Sequence, residues 1–179
     1  MNVYKDETMK EQIIKRMQFD NPWWVSGSIP NDYKSMQHRL YLDTFMPMVA
    51  DVSTRRGVIL MGPRRVGKTV MIFHTIEELI KNGVPAQKII YLSIDTPIYN
   101  NISLEDLLQL ARESLKQSGA SMDGYFVFYD EVQYLKDWEI HLKSLIDSYR
   151  NIKFVASGSA AAALKMKSTE SGAGRFTDF

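Results

Sequence analysis

The segment Gly57-Val58-Ile59-Leu60-Met61-Gly62-Pro63-Arg64-Arg65-Val66-Gly67-Lys68-Thr69 decides the fold. Its first part, Val58 to Met61, is a short apolar run between Gly57 and Gly62-Pro63, the pattern of a strand buried on both faces. Its second part, Gly62 to Thr69, has the spacing G-x-x-x-x-G-K-T of a phosphate-binding loop. Gly62 lets the chain turn sharply off the strand, and Gly67 permits backbone angles closed to other residues. The N–H groups of such a loop face a polyphosphate at the positive end of a helix dipole. Lys68 can reach the β- and γ-phosphates, and the Thr69 hydroxyl can ligate Mg²⁺. The candidate nucleotide-binding residues are Gly62, Pro63, Arg64, Arg65, Val66, Gly67, Lys68, Thr69 and Val70. The alternative is a plain glycine turn between strand and helix.

Downstream of the loop, strands and helices alternate. A helix is expected from Lys68 to about Asn82, stopped by Gly83 with Pro85 beyond it. Ile89 to Ile94 reads as a second buried strand. Ser103, with Asp106 three positions on, opens a helix carrying Leu104, Leu107, Leu108, Ala111 and Leu115 on one face. Tyr125 to Tyr129 is a third strand, Asp137 caps a helix begun by Trp138, and Ile152 to Ala156 is a fourth strand. Four strand–helix units predict an α/β fold, a parallel sheet covered on both faces and wound by right-handed crossovers. Ligands on such sheets bind at the carboxyl ends of the strands.

The third strand ends in two acids, Asp130-Glu131, sixty-two residues beyond Lys68. A carboxylate at a strand tip beside a phosphate loop holds Mg²⁺ through water, the role expected of Asp130. Glu131 is then placed to orient or deprotonate an attacking water. Ser157-Gly158-Ser159 ends the fourth strand. If that strand lies between the first and third, Ser157 stands beside the γ-phosphate, although a simple turn fits the spacing nearly as well. Arg175, in the Gly-rich stretch Ser171 to Arg175, is a candidate phosphate-contacting arginine. No N-K-x-D run supports guanine, so ATP is the expected nucleotide.

Composition narrows the class. The chain has 179 residues, 45% hydrophobic and 24% charged, enough for one ordinary globular core. A net charge of +1 advertises no nucleic-acid partner. The pairs Arg55-Arg56 and Arg64-Arg65, with Lys165 and Lys167, give only weak support for one. There is no cysteine, hence no disulfide or thiolate metal site, and His38, His74 and His141 are scattered along the chain. No apolar run suits a bilayer span or a signal peptide, so a cytoplasmic protein is expected. Residues 1–50 read as a helical arm packing on a core of residues 51–179. In the arm, Met9 to Phe19 and Tyr33 to Met46 are the expected helices, and Trp23 and Trp24 serve to pack it.

With these motifs in place, the chain from Asn21 onward resembles a family of prokaryotic AAA-type ATPases related to the archaeal ATPases. The resemblance rests on Asn21-Pro22-Trp23-Trp24, the loop Gly62 to Thr69, Asp130-Glu131-Val132-Gln133 with Trp138 after it, Gly158-Ser159, and Gly174-Arg175. It implies a three-layer P-loop NTPase domain of the RecA/AAA type with strand order 2-3-4-1. It implies binding of ATP and Mg²⁺ at Gly62 to Thr69, metal and hydrolysis roles for Asp130 and Glu131, γ-phosphate sensing near Ser157 or Ser159, and a phosphate or intersubunit role for Arg175. Such proteins continue with a fifth strand beside the first and a further domain. This sequence stops at Phe179, so the fifth strand is expected to be missing and the exposed edge of the first strand to favour self-association.

The expected function is an ATPase module that hydrolyses ATP with Mg²⁺ to drive a conformational change read by a protein partner. The alternatives are a nucleotide-binding switch with negligible hydrolysis and, less favoured because only Lys136 stands where a lid needs arginines, a small-molecule kinase.

Overall fold

The four apolar runs found in the sequence, with Phe176–Asp178 added, fold into a five-stranded, wholly parallel sheet in the order Ile89–Ser93, Tyr125–Asp130, Ile152–Ser159, Gly57–Gly62, Phe176–Asp178. The computed structural model describes residues 3–116, 121–159 and 174–179. Four helices come first: α1 (Val3–Asp20), α2 (Trp23–Ser26), α3 (Asn31–Lys34) and α4 (Leu42–Ala50). Then follow β1 (Gly57–Gly62), α5 (Lys68–Lys81), β2 (Ile89–Ser93), α6 (Leu104–Ser114), β3 (Tyr125–Asp130), α7 (Trp138–Ser148), β4 (Ile152–Ser159) and β5 (Phe176–Asp178). Lys165 and Lys167 lie outside the described residues. No helix among the described residues is long and apolar enough to cross a membrane.

The strands are nearly continuous apolar runs because both faces of the sheet are covered. Ile59, Ile90, Leu92, Val127, Phe128, Val155 and Ala156 are wholly buried. The α6 cap forms as read: the Ser103 hydroxyl accepts the Asp106 N–H at 3.0 Å. Asp137 is a correction. It occupies the residue before α7, but in a left-handed conformation (φ 54°) and with no side-chain cap bond.

The strand order is the expected one. The fifth strand, however, is present: Gly57 pairs with Phe176, Val58 with Thr177 and Ile59 with Asp178. Phe179 N donates to Ile59 O at 2.8 Å, and Met61 N donates to Phe179 O at 3.0 Å. The outer edge of β1 is therefore paired, and the expected self-association loses its stated cause. Three residues before the end of the chain are too short to read as a strand, and only the waiting partner edge makes them one.

The opposite edge, β2, is closed by side chains. The Asn21 carboxamide donates to Tyr91 O at 2.8 Å and accepts from Tyr91 N at 2.7 Å, as a neighbouring strand would. Both indole N–H groups donate to Ile89 O, Trp23 at 2.9 Å and Trp24 at 2.7 Å. Such an edge otherwise offers its backbone groups to other chains. The two tryptophans thus pack the arm, as expected, and also cap the sheet.

The second expected arm helix is broken. The chain leaves the helical path between α3 and α4, and Pro47 sits inside α4. In the connecting segment the His38 ring lies 4.3 Å from the ring of His74 on α5, and Arg39 lies against Gly67. Those tertiary contacts outweigh local helix propensity.

Candidate nucleotide site

The turn from β1 into α5 needs left-handed backbone at two places, Arg65 (φ 64°) and Gly67 (φ 94°). At Gly67 the left-handed angle favours glycine, and a Cβ there would lie 2.9 Å from the Arg39 guanidinium, the end of a flexible side chain. The Lys68 ammonium folds back onto its own loop, donating to Gly62 O at 3.2 Å and Pro63 O at 3.0 Å. Arg64 reaches the Tyr134 hydroxyl at 3.2 Å. Val70, in the first turn of α5, lines a cleft with Met36 to Tyr41.

Asp130 is buried at the tip of β3 and is the hub of the site. Its Oδ2 accepts the Thr69 hydroxyl at 2.7 Å and the Tyr91 hydroxyl at 3.0 Å. Its Oδ1 accepts the Ser157 hydroxyl. The first strand's loop, the second strand, the third strand and the fourth strand therefore meet at one carboxylate. Burial and the neighbouring Asp130 charge push the Tyr91 phenol far above its ordinary value of 10, so it acts as a donor.

Glu131, next in sequence, is left-handed (φ 55°, ψ 43°), a strained conformation for a side-chain-bearing residue. It turns the chain off the sheet, and its carboxylate accepts the Gln133 amide N–H. The Gln133 carbonyl in turn accepts Ser159 N at 3.1 Å. Gly158 makes room, since a Cβ there would meet Gln133 Oε1 and Met61 Sδ, each at 3.1 Å.

Ser157 to Ser159 belong to β4, paired with Leu60 to Gly62, rather than forming a turn. Ser157 is buried and donates to Asp130, whereas Ser159 lies level with Gly62. Arg175 is not brought to the site. It precedes Phe176, the partner of Gly57, and bonds Asp147 at 2.6 Å. Gly57 is at the other end of β1 from the loop, about 17 Å away at ~3.3 Å per residue.

Tyr91 and Arg39 stand at the site and were missed by sequence reading, which named Gln133 only as the end of the Asp130-Glu131-Val132-Gln133 run and gave it no role. Alternation carried a signal for Tyr91: it pairs with Phe128, two residues before Asp130, on the same face of the sheet. Nothing local marked Arg39. Beside the loop a cavity of about 290 Å³ is lined by Arg39, Tyr41, Met61, Val66, Met71 and Phe179, among others.

Two of the three histidines are brought together after all. One ligand atom each from His38, Glu77 and Glu78 lies within 4.8 Å of the others. The Lys81 ammonium already bridges both carboxylates, at 3.3 and 2.9 Å, which accounts for their proximity.

Residues 54–179 match the family model described as an AAA domain. The chain belongs to this AAA domain family. An uncharacterized protein of Methanocaldococcus jannaschii is 30% identical over 110 residues, covering 60% of this chain and 22% of that protein. An uncharacterized protein of Haemophilus influenzae is 27% identical over 121 residues, covering 67% of this chain and 29% of that protein. The chain thus spans less than a third of the length of either relative. The structure of C. elegans PCH-2 is similar with a TM-score of 0.53 at 16% identity, covering 79% of this chain and 43% of that one. That likeness concerns the fold alone. The AAA domain is an ATP-binding module of the P-loop class, built on the sheet order seen here.

Proposed function

We propose that this AAA domain binds Mg-ATP at Gly62 to Thr69 and hydrolyses it to drive a conformational change. The observation that carries the reading is the 2.7 Å bond between the Thr69 hydroxyl and Asp130, which joins the phosphate loop to the acid of β3. Hard oxygen donors of this kind suit Mg²⁺, with Thr69 and Asp130 as its holders. When bound, Mg²⁺ neutralises charge on the β- and γ-phosphates.

The chain's own residues supply the rest. Loop N–H groups and the Lys68 ammonium bind the phosphates, the ammonium leaving the carbonyls of Gly62 and Pro63 that it holds here. The Thr69 hydroxyl leaves Asp130, and Ser157 keeps that carboxylate oriented. Glu131 takes a proton from the attacking water once Gln133 releases it; in the present arrangement Gln133 restrains that base. The cavity lined by Tyr41, Met61, Met71 and Phe179 suits the apolar faces of the base.

Titration calorimetry with Mg-ATP tests the binding step. The expected result is a saturable heat from the wild-type chain and none from Lys68→Ala; equal binding by both overturns the proposal. The placement of Arg175 favours a second reading, a nucleotide switch that hydrolyses slowly unless a partner supplies an arginine. Phosphate release by the purified chain separates the two.

A further inference from the structure

We propose that Tyr91 is a positioning residue for the Asp130 carboxylate, held in place by Asn21 of the arm. The inference rests on the reading of Asp130 as the acid that holds Mg²⁺. Asp130 accepts three hydroxyls, two on Oδ2 and one on Oδ1. One of the two on Oδ2, from Thr69, belongs to the phosphate loop and has to turn to the metal when nucleotide binds. Tyr91 is then the remaining donor to Oδ2, while Oδ1 keeps two, the Ser157 hydroxyl and the Glu131 N–H at 3.1 Å. A carboxylate with donors on both oxygens has its rotation fixed; without Tyr91 both remaining side-chain and backbone donors sit on Oδ1, and Oδ2 is left without one.

The ring of Tyr91 is placed to keep that bond. It is buried, tilted against Phe73 at 4.9 Å between centroids and edge-on to Trp23 at 6.5 Å. Its backbone is held on both sides by one carboxamide, since Asn21 accepts from Tyr91 N at 2.7 Å and donates to Tyr91 O at 2.8 Å. The same amide nitrogen also donates to Met17 O at 2.8 Å, tying the bracket to α1. A continuous set of bonds thus runs from the end of α1, through Asn21 and Tyr91, to the acid at the metal position. Partners behind a metal ligand typically change metal affinity or activity about 10–100-fold when removed.

The test measures binding of a non-hydrolysable ATP analogue as Mg²⁺ is titrated, and again in EDTA, for the wild type, Tyr91→Phe, Asn21→Ala and Trp24→Phe. Tyr91→Phe keeps the ring and removes only the hydroxyl. It is expected to raise the Mg²⁺ concentration for half-saturation roughly tenfold, with metal-free affinity unchanged. Asn21→Ala is expected to shift the Mg²⁺ requirement in the same direction. Trp24→Phe, which loosens the arm at Ile89 without touching Tyr91, is expected to lower thermal stability and leave the Mg²⁺ requirement alone. An unshifted Mg²⁺ requirement in Tyr91→Phe overturns the inference. So does an equal loss with and without metal, which marks a merely structural role. A wild-type chain whose nucleotide affinity ignores Mg²⁺ overturns the reading of Asp130, and the inference falls with it.

Discussion

At the scale of single residues, the two acids of Asp130-Glu131 are set apart by geometry. Asp130 continues the strand and is locked by hydroxyls, while Glu131 flips to a left-handed conformation and turns away from it. Glu131→Gln is expected to keep Mg-ATP binding and lower phosphate release by about 10²–10⁴-fold, the contribution of a general base. Native turnover in that variant would remove Glu131 from the mechanism. Gly67→Ala is expected to cost ~1–2 kcal/mol in urea denaturation, the penalty of left-handed backbone for a residue with a Cβ. Arg39 can move aside at that position, so the backbone term dominates there.

Among the elements, the N-terminal arm matters most through what it does to the sheet edge. Asn21, Trp23 and Trp24 give the backbone of β2 the partners that a sixth strand would give. Trp24→Phe removes one of two donors to Ile89 O, and a loss of about 0.5–1.5 kcal/mol is expected in chemical denaturation. Element positions in the core were legible from apolar runs and glycine stops, since burial on both faces of the sheet leaves unbroken apolar runs. The break between α3 and α4 was not legible. It follows from contacts of His38 and Arg39 with residues more than twenty-five positions away.

For the whole molecule, one buried charge sets a pH dependence. Lys153 of β4 is buried, and its ammonium donates to Asp51 O at 2.7 Å. Burial lowers its pKa below the ordinary 10.5 despite the opposing attraction of Asp51. The unfolded chain therefore binds that proton more tightly, and the cost of the buried charge is present in full at neutral pH. It fades as pH rises from the lowered folded value towards 10.5. Lys153→Met is expected to stabilise the fold at pH 7, with the gain shrinking by pH ~10, as read by urea denaturation at the two values. A constant gain across that range would assign the effect to packing alone.

The sequence by itself determined the residue pattern of the loop and the alternation of strands and helices, while the strand order came from the resemblance alone. The first two are written in local spacing, where glycine, lysine and threonine sit next to one another and apolar runs declare their burial. Only the tertiary structure decided that Phe176 to Asp178 become a strand, that Arg175 faces Asp147 instead of the loop, and that Tyr91 and Ser157 converge on Asp130. Each of these depends on pairing between segments distant in the chain, and pairing across a sheet leaves no mark in the spacing of either partner.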